Sequence, residues 1–231
     1  MRGAAGAPPH SELTAVTCAL RGLFLGSLLL LPVAAAAQCV TVTDFSGDAL
    51  GSFPRGWRVP REDGDDVYRV VEEHGVRFLR ALARGVGTQA LLEYGWDLRE
   101  RPILTWRWRP RVFPEGSDER RARTNDSALG VYVGFPRSFM AVKSVKYVWS
   151  RSVPVGATAS ASAGLTRMLV LKSGPGEPGR WAEERVNVLE DYRRLFGDEP
   201  GKPRGIGVLT DSDDTRSVAE GDYADFRLCR P

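Results

Sequence analysis

The chain has 231 residues with 32 Lys+Arg against 29 Asp+Glu, a formal charge of +3. That near balance excludes the strongly basic footprint of a nucleic-acid binder. Of its two histidines and three cysteines, His10 and Cys18 fall in the N-terminal leader (residues 1–37), and the one histidine and two cysteines that are left exclude a multi-histidine or cysteine-rich zinc centre. A Ser-His-Asp triad would have to use His74, which sits in Glu72-Glu73-His74-Gly75, the pattern of a solvent-exposed turn between strands.

The first 37 residues have the three parts of a secretory signal peptide. Arg2 and Arg21 supply positive charge, Leu20 to Val33 is an apolar run, and Ala34-Ala35-Ala36-Ala37 offers small residues for cleavage. The apolar run is short for a membrane span and no second one follows. The expectation is export and cleavage near Ala37, with an uncleaved anchor as the alternative. Gln38 before Cys39 argues against a lipoprotein. Residues 38–231 would then form one domain of 194 residues, with 30 Lys+Arg and 28 Asp+Glu, secreted or periplasmic and without a membrane span.

Along that domain, short runs rich in Val, Tyr, Trp and Phe are punctuated by Gly, Pro and Asp. Strands are expected at 40–45, 67–71, 76–82, 88–94, 103–109, 128–135, 142–149, 168–172, 181–188, 205–210 and 223–229. Many short strands at this spacing, with no alternating helices, point to an all-β sandwich or barrel. Residues 110–125 and 153–164 read as loops. The arginines at 120, 121 and 123 sit among Asp118, Glu119 and Asp126 and read as a solvated loop. One helix is expected over Val188–Phe196, because Val188, Tyr192, Leu195 and Phe196 make one apolar stripe. Asn187 would be its N-cap, Glu190 would complete a capping box and Gly197 would end it, in a crossing from one sheet to the other.

Three constellations bear chemistry. In Trp106-Arg107-Trp108-Arg109, alternation puts the tryptophans on one strand face and the arginines on the other. The bland reading is core tryptophan with solvated arginine; the sharper one makes Arg107 and Arg109 part of a ligand-facing sheet. In the run 181–187, Trp181, Glu183, Arg185 and Asn187 share a face, which suits a sugar or a carboxylate through stacking and bidentate hydrogen bonds. An in-strand ion pair of Glu183 with Arg185 or a cross-strand arginine is the competing account. In Asp211-Ser212-Asp213-Asp214-Thr215, alternating carboxylates suit calcium at Asp211, Asp213 and Asp214, and a plain Asx-turn explains them equally well. Otherwise no cofactor is expected. Glu183, Glu184, Glu190, Asp191 and Asp213 are eligible as a hydrolytic carboxylate pair, but sequence does not say which converge.

The run Trp181-Ala182-Glu183-Glu184-Arg185-Val186-Asn187-Val188-Leu189-Glu190-Asp191-Tyr192-Arg193-Arg194-Leu195-Phe196-Gly197 resembles the hallmark of a bacterial family known as domain of unknown function 3047. Phe45 with Phe53-Pro54-Arg55-Gly56-Trp57, Leu104 to Trp108, Asn125 to Ala128 leading to Val131-Tyr132-Val133, Lys143 to Trp149, Thr210 to Thr215 and Tyr223 to Phe226 agree with it. Ser212, Asp214 and Lys146 depart from its pattern. The resemblance implies no activity; its overall pattern looks like a galactose-binding-type jelly roll. Jelly-roll termini often lie side by side, so Cys39 and Cys229, the two cysteines left after cleavage, are expected to form a disulfide, with two unpaired thiols as the alternative. The leading functional reading is non-catalytic binding of a carbohydrate or other cell-envelope ligand through Arg107, Arg109, Trp181, Glu183, Arg185 and Asn187. The alternatives are a carboxylate-dependent glycoside hydrolase or polysaccharide lyase, and a structural envelope protein that binds another protein.

Overall fold

The computed structural model describes residues 38–60, 65–138, 141–177 and 179–231. The expected leader and its cleavage site lie outside them. The described chain forms two β-sheets and one α-helix. Sheet A holds β1 (Cys39–Thr43), β3 (Tyr68–Glu73), β4 (Val76–Arg84), β6 (Ile103–Val112), β11 (Ala182–Asn187) and β13 (Val218–Cys229). Its order is β11-β6-β13-β4-β3, with β1 also on β13. Sheet B holds β2 (Trp57–Arg58), β5 (Gly87–Glu93), β7 (Leu129–Ser138), β8 (Ala141–Ser150), β9 (Thr158–Ala161), β10 (Thr166–Ser173) and β12 (Gly205–Asp211), in the order β2-β5-β12-β7-β8-β10-β9. The chain crosses repeatedly between the sheets, the interleaving of a jelly-roll sandwich.

Period-two alternation drives this architecture. On β6, Trp106 and Trp108 are fully buried between the sheets, while on β8 Tyr147 and Trp149 face them. Ring centroids lie 5.2 Å apart for Trp106–Trp108, 5.7 Å for Trp106–Tyr147 and 6.0 Å for Trp108–Trp149. Burying each such side chain stabilises the sandwich by roughly 2–3 kcal/mol. The Trp108 indole donates to Glu184 at 3.0 Å and the Trp149 indole to the Gly174 carbonyl at 2.8 Å, whereas the buried Trp106 indole N–H has no hydrogen-bond partner among the described residues.

The helix α1 (Val188–Phe196) has the expected bounds. The Glu190 amide donates to the Asn187 side chain at 3.2 Å, and Gly197 ends the helix at φ 74° with its N–H on the Arg193 carbonyl. The helix links β11 in sheet A to β12 in sheet B. Tyr192 packs on Phe135 at 4.7 Å, and the Tyr147 hydroxyl donates to Asp191 at 3.1 Å. His74 is exposed in a two-residue β3–β4 hairpin, where His74 and Gly75 both have positive φ, as the twist of a tight hairpin demands.

Two expectations need correction. The 153–164 segment is not all loop, since Thr158–Ala161 forms β9 on the edge of sheet B. Its Thr-Ala-Ser-Ala sequence carries no apolar alternation, and backbone pairing to β10 makes it a strand. The last strand also begins at Val218 rather than at 223, because Glu220 and Asp222 are carried in the sheet by arginines on neighbouring strands. Cys39 and Cys229 are disulfide-bonded, directly opposite in the β1–β13 register and 190 residues apart. In the chain-entropy model that closure stabilises the fold by about 5 kcal/mol.

Candidate functional site

The outer face of sheet A carries the charged residues picked out from the sequence. Arg80 and Arg109 lie opposite Asp222 on the strands either side of β13. Asp222 is fully buried and accepts from Arg109 Nε at 2.6 Å, Arg80 Nε at 2.9 Å and Arg111 Nη1 at 3.4 Å. Glu73 accepts from Arg109 at 2.6 Å and Arg80 at 2.9 Å, and the Arg109 hydrogen bond is the main cause holding its carboxyl below the usual range. Glu220 lies 3.1 Å from Arg111 Nε. Three guanidinium groups thus meet three carboxylates. Arg109 also lies 4.6 Å from the Trp181 ring and 5.0 Å from Phe78, and those rings meet edge to face at 5.2 Å. Arg109 and Trp181 are therefore committed to protein contacts, and the Asn187 side-chain carbonyl to the helix cap.

Arg107, Glu183 and Arg185 come together nearer the disulfide. They line a groove of about 280 Å³ with Thr105, Asp225 and Arg227. Arg107 Nε donates to Asp225, and its guanidinium lies 5.3 Å from the Trp181 ring. Glu183 and Arg185 are exposed, and neither pairs with the other among the described residues.

A second surface lies on the outer face of sheet B. The register sets Leu91, Gly207, Tyr132 and Lys146 in one row across β5, β12, β7 and β8. Glu93, Gly205, Gly134 and Ser144 form the next row. Apart from the buried Lys146, these rows line a trough of about 270 Å³, together with Arg58, Gln89, Val142 and Arg204. Gln89 continues it into a polar hollow of about 390 Å³ with Asp211, Asp213 and Asp214. A Cβ on Gly207 would lie 2.7 Å from the Leu91 side chain, so this glycine lets Leu91 lie over the sheet.

A buried polar cluster closes one end. Lys146 donates to the Ser127 hydroxyl at 3.2 Å, and the Ser127 amide donates to Asp211 at 2.6 Å. Burial pushes the Asp211 carboxyl up to about 7, against the attraction of Lys146 and the Ser127 amide. Glu119 is raised by burial too, and accepts from the Ser150 hydroxyl at 2.6 Å. Burial opposes the charge on Lys146, but Tyr132 and Asp211 outweigh it and hold the ammonium above its ordinary value.

The acidic turn divides. Asp213 and Asp214 gather with Asp126, three carboxylate oxygens within 4.8 Å of one another, whereas Asp211 points onto the sheet. Asp126 accepts from the Asp214 amide at 3.2 Å, the Thr215 amide at 2.8 Å and the Thr215 hydroxyl at 2.6 Å. The carboxylates eligible for hydrolysis are dispersed: Glu183 on sheet A, Glu184 on Trp108, Glu190 and Asp191 on the helix, Asp213 at the acidic turn. The residues missed were Gln89, Leu91, Tyr132 and Gly207. Alternate glycines in Gly205-Ile206-Gly207 and Gly130-Val131-Tyr132-Val133-Gly134 were the available signal, since glycine in a strand marks a close approach to the backbone.

A family model described as "Protein of unknown function (DUF3047)" matches residues 55–227. No curated protein matches the chain. Among solved structures, a family 30 carbohydrate-binding module of a cellulosomal cellulase from Clostridium thermocellum is 12% identical with a TM-score of 0.43, covering 83% of this chain and 96% of that one. A mannan-recognising carbohydrate-binding module is 14% identical with a TM-score of 0.40, covering 84% and 99%. The family 11 xylanase from Neocallimastix patriciarum is 11% identical with a TM-score of 0.38, covering 84% and 96%.

Proposed function

The chain belongs to the family of unknown function DUF3047, and for this member we propose non-catalytic binding of a cell-envelope saccharide in the trough of sheet B. The trough itself carries the reading. A sugar ring offers an apolar C–H face and a rim of hydroxyls, so it is held by a flat apolar surface beside a few hydrogen-bonding groups. Leu91, Tyr132 and Val142 supply the first, and Gln89, Ser144, Glu93, Arg58 and Arg204 the second. Gly207 and Gly134 leave room for the Leu91 and Val142 side chains to lie across the sheet, which makes the floor of the trough apolar. The disulfide suits the oxidising compartment that the apolar leader implies. Among the described residues no helix is long and apolar enough to cross a membrane.

A glycan array followed by calorimetry tests the proposal. Tyr132→Ala is expected to weaken binding by about tenfold, the loss of roughly 1.4 kcal/mol, while the melting temperature shows whether the variant remains folded. Failure of every envelope and plant saccharide to bind would remove it. A second reading, hydrolysis, draws on one observation: the Asp211 carboxyl, raised by burial to about 7 and so suited to a general acid, lines the polar hollow that adjoins the trough at Gln89. Release of reducing ends by the protein, abolished in Asp211→Asn, would replace binding with catalysis.

A further inference from the structure

We propose a second and separate site: an oxyanion pocket on the outer face of sheet A, formed by Arg185, Thr105 and Arg227 beside the Cys39–Cys229 disulfide and backed by Arg107. The ligand class is a carboxylate or a phosphate-type group. It does not depend on the saccharide trough, which lies on the other sheet.

The register builds the pocket. Arg185 on β11 lies opposite Thr105 on β6, and Thr105 lies opposite Arg227 on β13. Two arginines thus flank one threonine in a single cross-strand row, their backbones roughly 10 Å apart by two inter-strand spacings. Thr105 is the floor. It is 9% exposed, and its hydroxyl hydrogen-bonds to no described residue. Neither Arg185 nor Arg227 forms an ion pair with a described residue. All three line the groove of about 280 Å³, and the disulfide forms part of its wall.

The neighbouring carboxylates do not neutralise the row. Asp225 is taken by Arg107. Asp44 lies near enough for Arg227 to lower its pKa slightly, but its main partners are the side chain and amide of Ser46. Glu183 lies opposite Arg107 in the next row and is exposed at the rim. On sheet A's other half, by contrast, every arginine of the network has a carboxylate partner.

Backbone strain sets the geometry. The β6–β13 register shifts between Ala224 and Arg227, and inside that bulge Asp225 sits at φ 53°, a left-handed conformation that a residue with a Cβ disfavours. The bulge puts Asp225 against Arg107 and brings Arg227 into the row of Thr105. Arg107 is held by Asp225 and by the Trp181 ring, so it supplies fixed positive charge behind the pocket. An arginine presents its N–H groups as a fork that matches the two oxygens of a carboxylate or phosphate, and the Thr105 hydroxyl supplies one further donor.

Calorimetric titration of the protein with inorganic phosphate, sulfate and galacturonate tests this. Saturable binding of at least one is expected, and which of them binds separates a phosphate-type ligand from a carboxylate. Arg185→Ala with Arg227→Ala should weaken binding by at least about tenfold, and Thr105→Val by a smaller factor, with an unchanged melting temperature. Replacing both arginines by lysine should restore only part of the affinity, since lysine lacks the planar fork. Tyr132→Ala, on the other sheet, should have no effect, so failure of the trough reading leaves this result intact. No saturable binding of the three anions, or binding unchanged in the double alanine variant, overturns the pocket.

Discussion

On the outer face of sheet A, Arg80, Arg109 and Arg111 meet Glu73, Glu220 and Asp222 in a charge-matched network under two aromatic rings. On the outer face of sheet B, Lys146 and Asp211 are both buried, yet no ion pair joins them among the described residues. Each face buries charge at the cost of desolvation. Only the first compensates it with direct carboxylate–guanidinium hydrogen bonds. The second leaves a carboxyl that titrates near neutrality at the end of an open trough, and perturbed groups in a cleft are a mark of functional sites. Charge density alone thus misleads: the more charged network serves to hold the sheet together.

Breaking the covalent closure between the first and last strands of sheet A should have the largest effect. Replacing Cys39 and Cys229 by serine is expected to lower unfolding free energy by about 5 kcal/mol, measured by urea titration. A loss under about 1 kcal/mol would show that the β1–β13 pairing holds the termini without the bond.

The network on sheet A comes next. Asp222→Ala leaves three arginines facing a buried gap, and a loss of about 3–5 kcal/mol is expected. Saccharide binding by whatever remains folded should be unchanged. Weakened saccharide binding at constant stability would instead make this face the site, against the contrast drawn above.

For sheet B the test is pH. The Asp211 carboxyl is raised from 3.8 in the unfolded chain to about 7 in the fold. Between those values the unfolded chain has lost a proton that the native state keeps, so stability falls as pH rises. The contribution is complete below about pH 4 and gone above about pH 7, a change on the order of a few kcal/mol. Asp211→Asn should flatten that slope in chemical denaturation at pH 4 to 8. An unaltered slope in the variant would place the titration elsewhere. The smallest effect expected is at the helix: Asn187→Ala should cost about 1 kcal/mol through the lost cap, with neither face altered in binding.

Much of the fold was legible because it rests on local periodicity. The Trp106/Trp108 alternation, the Asn187 cap and the Gly197 stop are short-range patterns with one physical solution each. The disulfide followed from two cysteines beside the first and last strands. By contrast, β9 has no apolar alternation to reveal it, and the acidic start of β13 makes sense only beside Arg80, Arg109 and Arg111. The candidate site was less legible still. Arg109 and Trp181 share a face with Arg107, as alternation requires, but alternation does not say that Asp222 and Phe78 wait there to engage them.

The sequence by itself determined which residues face inward, where the helix starts and stops, and that strands would dominate, because those depend on neighbours a few positions away. Tertiary structure decided which strands lie side by side. That choice pairs Arg109 with Asp222, 113 residues along the chain, sets Thr105 between Arg185 and Arg227, and lays Tyr132 beside Gly207. Cross-strand partners are set by register between distant segments, and register is a property of the whole sandwich that no single stretch of sequence contains.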